Sequence, residues 1–424
     1  MRRRPVRDDT TGRVRDSSRL RLVLALAFVP VSLLACNAII GIEDVKLRAS
    51  VTDAGTDAGT DPFAGKSQLA LGFGHGCALL PDRTVRCWGD NLNGAVGDGK
   101  PIDGTQKDVL KPQPVPGIAD AVWIAAGVSH SCVVRATGRV SCWGSNLFGQ
   151  LGDGTQQSSS APVDVVEMED AKSVAGGTSF TCALRKDKTV ACWGANHAGQ
   201  LGDGRKVDRP KPAPVTGLNG VLTISAANDH ACAVLETGEV MCWGGNTHGQ
   251  LGIGSRAESL SPSKVEPLAN IAQVAAASHF SCARRKTGRV DCWGSNELGQ
   301  LGNGASSSTA SLSPVTVPSI DDATFLWAGF EHACVTRKAG KVTCWGSAGE
   351  GQVGNGAIEA AGSISPPVAV VDAPAAIAVW TGGNRSCAVA EDGRAFCWGQ
   401  NTNGQLGDGT TKSAYVAVPV TALP

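Results

Sequence analysis

Short runs of β-branched and small apolar residues alternate along most of this chain with stretches rich in Gly, Ser, Asn and Asp. Residues 127–154, GVSHSCVVRATGRVSCWGSNLFGQLGDG, show the unit: Val133 and Val134 stand before an Ala136-Thr137-Gly138-Arg139 turn, and Val140 stands after it. β-Branched arms around a glycine-bearing turn predict an antiparallel hairpin. The tail from Asn146 to Gly154 carries glycine at every second or third position, so it predicts an ordered loop, with Leu151 as its apolar plug and the Gln150 amide satisfying backbone groups. An extended Ala161–Val166 segment and an apolar run, Ala171–Ala175, then lead to the next hairpin. Each unit holds three or four short strands and no helix, and cannot bury its apolar face without neighbours.

The unit recurs seven times. Cys, nine residues, Cys-Trp-Gly is written at Cys77 and Cys87, Cys132 and Cys142, Cys182 and Cys192, Cys232 and Cys242, Cys282 and Cys292, Cys334 and Cys344, and Cys387 and Cys397. Successive first cysteines are 55, 50, 50, 50, 52 and 53 residues apart. Cys132 and Cys142 are equidistant from Thr137, so antiparallel pairing sets them opposite each other, with Cβ atoms about 4.5–5.5 Å apart and within reach of a disulfide. Seven pairs of reduced, buried thiols are the alternative. Both end units keep the complete core, whereas an open stack needs atypical caps. Closure into a ring is therefore expected, and seven units lie within the propeller range.

The repeat resembles that of the regulator-of-chromosome-condensation (RCC1-like) family, on Gly127, His130, Gly138, Val140, Trp143, Gly144, Asn146, Gly149, Gln150, Leu151, Gly152 and Gly154 and their counterparts. It covers nearly everything from about Leu69 onward and implies an all-β, seven-bladed β-propeller with one disulfide-linked hairpin per blade. Departures are local: Ala95 replaces the glutamine of the first unit, and Ala348 and Val353 replace Asn and Leu in the sixth. The protein that names the family binds histones, DNA and a small GTPase. Fold does not carry function, and no basic DNA-binding tail adjoins the repeats, so nucleotide exchange and chromatin binding are not expected.

The first 36 residues read as a separate device. Eight arginines oppose three aspartates, the apolar run Leu22–Ala35 follows, and Leu33-Leu34-Ala35-Cys36 looks like a bacterial lipobox. Cys36 alone stands outside the pairs, so lipidation there resolves the odd cysteine count. The expected organisation is a lipoprotein-type signal peptide (1–36), a Thr/Asp/Ala/Gly-rich tether (37–65) and the propeller (66–424). The expected location is the bacterial cell envelope, at the outer membrane.

Charge excludes more than it assigns. The chain has 38 basic and 38 acidic residues; residues 1–36 hold 8 and 3, leaving 30 against 35 and a net charge of −5. That disfavours nucleic acid as a partner. The glycine-rich loops lack the Lys-Ser/Thr ending of a phosphate loop. His75, His130, His230 and His332 share one position, two residues before a first cysteine, but Phe180, Phe280 and Arg385 take it in other units. The position therefore reads as a packing slot rather than a metal ring. No cofactor, metal or catalytic constellation is expected. Trp123, Trp327 and Trp380 lie in the apolar runs and are expected in the core. Divergent segments follow each Gly-x-Gly, among them 155–160, 205–210, 255–260, 305–310 and 357–364, and in a ring they form one rim. Arg205, Lys206, Asp208, Arg209, Arg256 and Glu258 are the candidate binding residues there. The expectation is a non-catalytic, monomeric cell-envelope protein that presents this rim to an extracytoplasmic protein or glycan and touches membrane only through its anchor. A propeller-based extracytoplasmic hydrolase or lyase and a purely structural envelope lipoprotein are the alternatives.

Overall fold

The computed structural model describes residues 65–357 and 362–423. They form seven four-stranded antiparallel sheets, each built of consecutive strands: residues 68–114, 121–164, 171–214, 221–264, 271–316, 323–369 and 376–419, here blades 1 to 7. The first strand of each blade lies against the first strands of its neighbours, blade 7 against blade 1 included, so the sheets close a ring around a central channel. Helix is confined, among the described residues, to one 3-10 turn at Lys338–Gly340. This is the expected seven-bladed propeller.

Every blade pairs its two cysteines directly across the second and third strands, as in the Cys132↔Cys142 register. Seven disulfides form: Cys77 with Cys87, Cys132 with Cys142, Cys182 with Cys192, Cys232 with Cys242, Cys282 with Cys292, Cys334 with Cys344, and Cys387 with Cys397. Their Cα atoms are 4.0–4.1 Å apart. Such close approach belongs to the non-hydrogen-bonded kind of antiparallel pair. The alternative of reduced thiols does not describe these hairpins. Cys87, Cys192, Cys242, Cys292, Cys344 and Cys397 are fully buried, as Cys142 is, so these cystines brace the blades from inside and present nothing to a ligand.

Each tryptophan that follows the second cysteine is fully buried at a blade boundary. Its indole N–H donates to a backbone carbonyl of the preceding blade's Gly-rich loop: Trp193 to Gln150 at 2.9 Å, Trp243 to Gln200 at 3.0 Å, and Trp88 back to Gln405 at 3.0 Å, closing the ring. The glycines of that loop have steric reasons. At Gly152, where φ is +72°, a Cβ would come within 2.6 Å of the Trp193 indole nitrogen. The expected roles of its neighbours also hold. Leu151 is buried, the Gln150 Oε1 accepts the Phe148 N–H at 3.0 Å, and the Asn146 Oδ1 accepts the Leu151 N–H at 2.9 Å. Further out, the Gly154 N–H donates to Pro210 in the next blade's outermost strand, and the Gly409 N–H to Leu110.

Antiparallel order sorts the connections onto two sides of the ring. Turns between first and second strands share one side with the long loops between third and outermost strands; we call it the loop face. Tips of the cysteine hairpins share the other, the hairpin face, with the links between blades.

Two outcomes follow. Peptide mapping of unreduced protein should recover seven links, each within one hairpin; free thiols or links between blades would refute the scheme. Trp243→Ala should cost about 3–5 kcal/mol in chemical denaturation, and a loss below about 1 kcal/mol would mean that the indole is not a packed boundary residue.

Candidate functional site

The histidine slot proves to be a hydrogen-bonding seam rather than a packing position alone. Neighbouring residues on a strand point to opposite faces of a sheet, so in each second strand one residue faces the next blade and the following one faces the blade before. His75 Nε2 meets Ser131 Oγ at 2.8 Å, His130 meets Thr181 at 2.9 Å, His230 meets Ser281 at 2.8 Å, and His332 meets Ser386 at 2.8 Å. Each hydroxyl in turn donates to the preceding blade's loop carbonyl, as Thr181 does to Gln150 at 2.9 Å. The hydroxyl oxygen therefore accepts the Nε2 proton. Where the slot holds Phe180 or Phe280, the facing residue is Ala231 or Ala333, and the contact is purely apolar. Arg385 faces Gly76 and takes backbone carbonyls instead, donating to Phe73 at 2.8 Å and also to His75.

Burial keeps the four seam histidines neutral. It lowers His75 and His332 to about 3, and His130 and His230 to about 4, from an ordinary 6.5, with Arg385 adding to the effect at His75. Among the described residues no group of three or more His, Cys, Asp or Glu is placed to hold a metal ion.

The channel holds a cavity of about 140 Å³ lined by the first strands, and Trp123, Trp327 and Trp380 border it. Trp380 is buried in the core as expected, and Trp123 and Trp327 pack against the core while remaining partly exposed. Most first strands place Ala or Ser opposite the first cysteine, where blades 6 and 7 place Trp327 and Trp380. The bulky indoles leave the channel lopsided.

At the loop-face mouth of the channel, Phe73 and Phe330 stand edge to face with centroids 5.5 Å apart, across the small Gly382-Gly383 turn of blade 7. His279 lies 6.4 Å from Phe330 and 4.3 Å from His248. Burial raises Glu331 above the ordinary carboxylate range and nearby Glu297 adds to it, while burial and His248 lower His279. Asp229 lies beside this group, with a buried Oδ1 that has no hydrogen-bond partner among the described residues. None of these residues stands out in the sequence as a site, because they are spread over blades 1, 4, 5 and 6 and no single repeat holds the pattern.

The six rim candidates share the loop face at its periphery, and most are engaged. Lys206 pairs with Glu258, Arg209 Nε with Asp203 at 2.6 Å, and the Asp208 Oδ1 accepts the Asn196 N–H at 2.7 Å. Arg205 and Arg256 are exposed. Segment 357–364 is described only in part. Exposed large hydrophobic residues divide unevenly. Among the described residues, Phe73, Leu92, Ile102, Leu147, Phe148 and Val207 belong to the loop face, and Val371 to the link between blades 6 and 7, where its N–H donates to Gly354.

An RCC1-like domain family model matches residues 48–375, and regulator of chromosome condensation (RCC1) repeat models match residues 376–405 and 392–423. The chain belongs to the RCC1-like domain family. Regulator of chromosome condensation from mouse is 34% identical over 112 residues, 26% of either chain. The probable E3 ubiquitin-protein ligase HERC4 from mouse is 40% identical over 87 residues, 20% of this chain and 8% of its own. The matched stretches thus span about a quarter or less of these relatives. Yeast RCC1 (Prp20), solved bound to Kap60, superposes with a TM-score of 0.70 at 20% identity over 85% of this chain and 86% of its own. Human WBSCR16 gives 0.68 at 21% identity over 79% and 92%. The RCC1-like propeller is non-catalytic, and the ligase name of HERC4 belongs to a protein of which the match covers a small part.

These relatives correct the expected address. They are eukaryotic proteins, named for chromosome condensation and ubiquitin ligation or solved with Kap60, and they overturn the bacterial lipoprotein, its cell-envelope and outer-membrane location, and its extracytoplasmic partner. A short apolar run ending in cysteine is a weaker signal than a family match across residues 48–375. Cys36, the leader and nearly all of the tether lie outside the described residues.

The seam sets a pH dependence. Below 6.5 the unfolded histidines take up protons that the folded ones refuse until pH falls to about 3–4, so stability should fall across that window as acid is added. Each histidine contributes about 1.4 kcal/mol per pH unit. The double change His130→Phe with Thr181→Ala, which copies the seam of Phe180 against Ala231, should fold and show a shallower decline of melting temperature between pH 6.5 and 4. An unchanged slope would show that His130 is not held neutral.

Proposed function

We propose that this RCC1-like propeller is a non-catalytic binding module that engages a protein partner through its loop face. The uneven placement of exposed apolar residues carries the reading. Among the described residues six of seven lie on that face, Leu147 at 67% and Phe73 at 41% exposure among them, and the seventh, Val371, lies in a link between blades. Singly exposed apolar residues are ordinary on a protein surface, but their segregation to one side of a rigid ring supports recognition there. Arg205, Arg256 and the Lys206–Glu258 pair extend the same face outward and serve as its polar edge. The hairpin face is occupied with itself: Arg135 pairs with Asp120, Arg185 with Asp170 and Arg337 with Asp322 across tips and links.

The relatives support a protein as the class of partner. Yeast RCC1 (Prp20) has been solved bound to Kap60, and its binding to Gsp1p and histones has been described. A Gsp1p-like protein and histones are therefore the first candidates for this chain.

The test is binding of the full chain to these candidates and to cell extract. The double change Leu147→Ser with Phe148→Ser should weaken a captured protein by about 10-fold or more, while Val371→Ser leaves it unchanged. Equal losses from both changes, or no protein retained by the folded chain, would overturn the loop-face reading.

A further inference from the structure

The charge that the inner ring of the loop face presents outward is of one sign. The seven turns between first and second strands are GFG (72–74), GVS (127–129), GTS (177–179), AND (227–229), ASH (277–279), GFE (329–331) and GGN (382–384). The adjoining starts of the long loops are DNLNG (90–94), SNLFG (145–149), ANHAG (195–199), GNTHG (245–249), SNELG (295–299), SAGEG (347–351) and QNTNG (400–404). Together they hold Asp90, Asp229, Glu297, Glu331 and Glu350 and no lysine or arginine; Arg385, next after the blade 7 turn, is fully buried against the carbonyls of Gly72, Phe73 and Gly382. None of the five carboxylates forms an ion pair among the described residues, whereas the hairpin face pairs most of its arginines.

Three of them gather on blades 4 to 6, beside the exposed aromatic edge of the channel mouth. Glu297 and Asp229 both act electrostatically on His279, and Glu297 acts on Glu331. The phenyl ring of Phe330 lies against His279 and Phe73. A second observation points to an occupant. Ser278, only 3% exposed, lines the channel next to His279, and its Oγ has no hydrogen-bond partner. The buried Asp229 Oδ1 is likewise unpartnered. Carboxylates without ion pairs beside aromatic faces, with an unpartnered buried hydroxyl on the adjoining channel wall, form a receptor for an ammonium or guanidinium group.

We infer that the loop-face mouth of the channel, bounded by Asp229, His279, Glu297, Phe330 and Glu331, docks a lysine- or arginine-bearing segment of the protein partner. The inference rests on the loop-face reading above and adds the chemistry of the partner. Charge complementarity selects the occupant: the ring repels acidic segments and nucleic-acid phosphates, and it offers a basic side chain both its counter-ions and a π face. The partner's long side chain enters between His279 and Phe330 with its charged end toward Glu297 and Glu331.

The experiment measures binding of fluorescent short peptides, one arginine-rich, one lysine-rich and one glutamate-rich, to the full chain. Basic peptides should bind with an affinity that falls as salt rises, and the acidic peptide should not bind. Glu297→Gln with Glu331→Gln should weaken the basic peptides by about 10-fold, and Phe330→Ala should weaken arginine more than lysine. Glu169→Gln on the hairpin face should leave them unchanged, with melting curves checking that each variant folds. Basic peptides that fail to bind, or that bind the double glutamine variant as well as the parent, would overturn the inference. A captured partner that needs Leu147 and Phe148 yet ignores Glu297 and Glu331 would overturn it while leaving the loop-face reading intact.

Discussion

The carbonyl oxygen of Gln150 receives two hydrogen bonds from the next blade, one from the Trp193 indole and one from the Thr181 hydroxyl. Its counterparts at Ala95, Gln250 and Gln352 do the same, and those at Gln200, Gln300 and Gln405 accept the indole. The disulfide depends on this seam as much as the seam depends on it. The cystine fixes the strand that carries the tryptophan, and the tryptophan, with its bulk buried and its one donor satisfied, ties the hairpin to its neighbour. The glycines follow, because a side chain at Gly152 would occupy the space of the Trp193 ring. No strand is exchanged between first and last blades among the described residues, so closure uses the same seam, the Gly409 and Asn403 bonds to Leu110 and Asp108, and Arg385, which reaches from blade 7 to carbonyls of blade 1. Burial lowers its guanidinium to about 9, and it lies among backbone oxygens rather than beside a carboxylate.

With the interior occupied by these bonds, the surface is free to differ between the two sides. On the hairpin face, arginines at the tips meet acids on the links, and the side is neutralised internally. The loop face has apolar residues on its loops, carboxylates without counter-ions near its centre, and a channel narrowed on one side by Trp327 and Trp380. Rigidity comes from the seams and selectivity from what the loops carry above them.

The hairpins, the disulfides, the buried Trp-Gly tryptophans and the roles of Gln150 and Leu151 were legible because each is stated within one repeat and restated in every other. The histidine slot was half legible. His130 and Phe180 alternate visibly at one position, but the partner that explains them, Thr181 or Ala231, sits one repeat away and shares no local pattern with them. The acidic mouth was not legible at all: Asp229, Glu297 and Glu331 belong to three repeats and meet only when the ring brings their turns together. The leader misled, since a degenerate apolar pattern before Cys36 says far less about the address of a protein than the repeats say about its family.

The seam also constrains how such a ring can grow by copying one of its own units. In every blade the second strand presents one residue to the blade before and one to the blade after, and a tandem duplicate must match itself. Blade 2 does, since its outgoing His130 would meet its own incoming Ser131, the same pairing that His75 makes with Ser131 now. Blade 4 would set His230 against Ala231, blade 3 would set Phe180 against Thr181, and blade 5 would set Phe280 against Ser281. The first of those copies strands the His230 Nε2 at a dry boundary, and the other two set a phenyl ring against a hydroxyl that keeps only its loop carbonyl. Blade 2 is thus the unit of this ring whose seam residues suit it to serve as template, and the other blades carry in two adjacent residues the history of the neighbours they were fitted to.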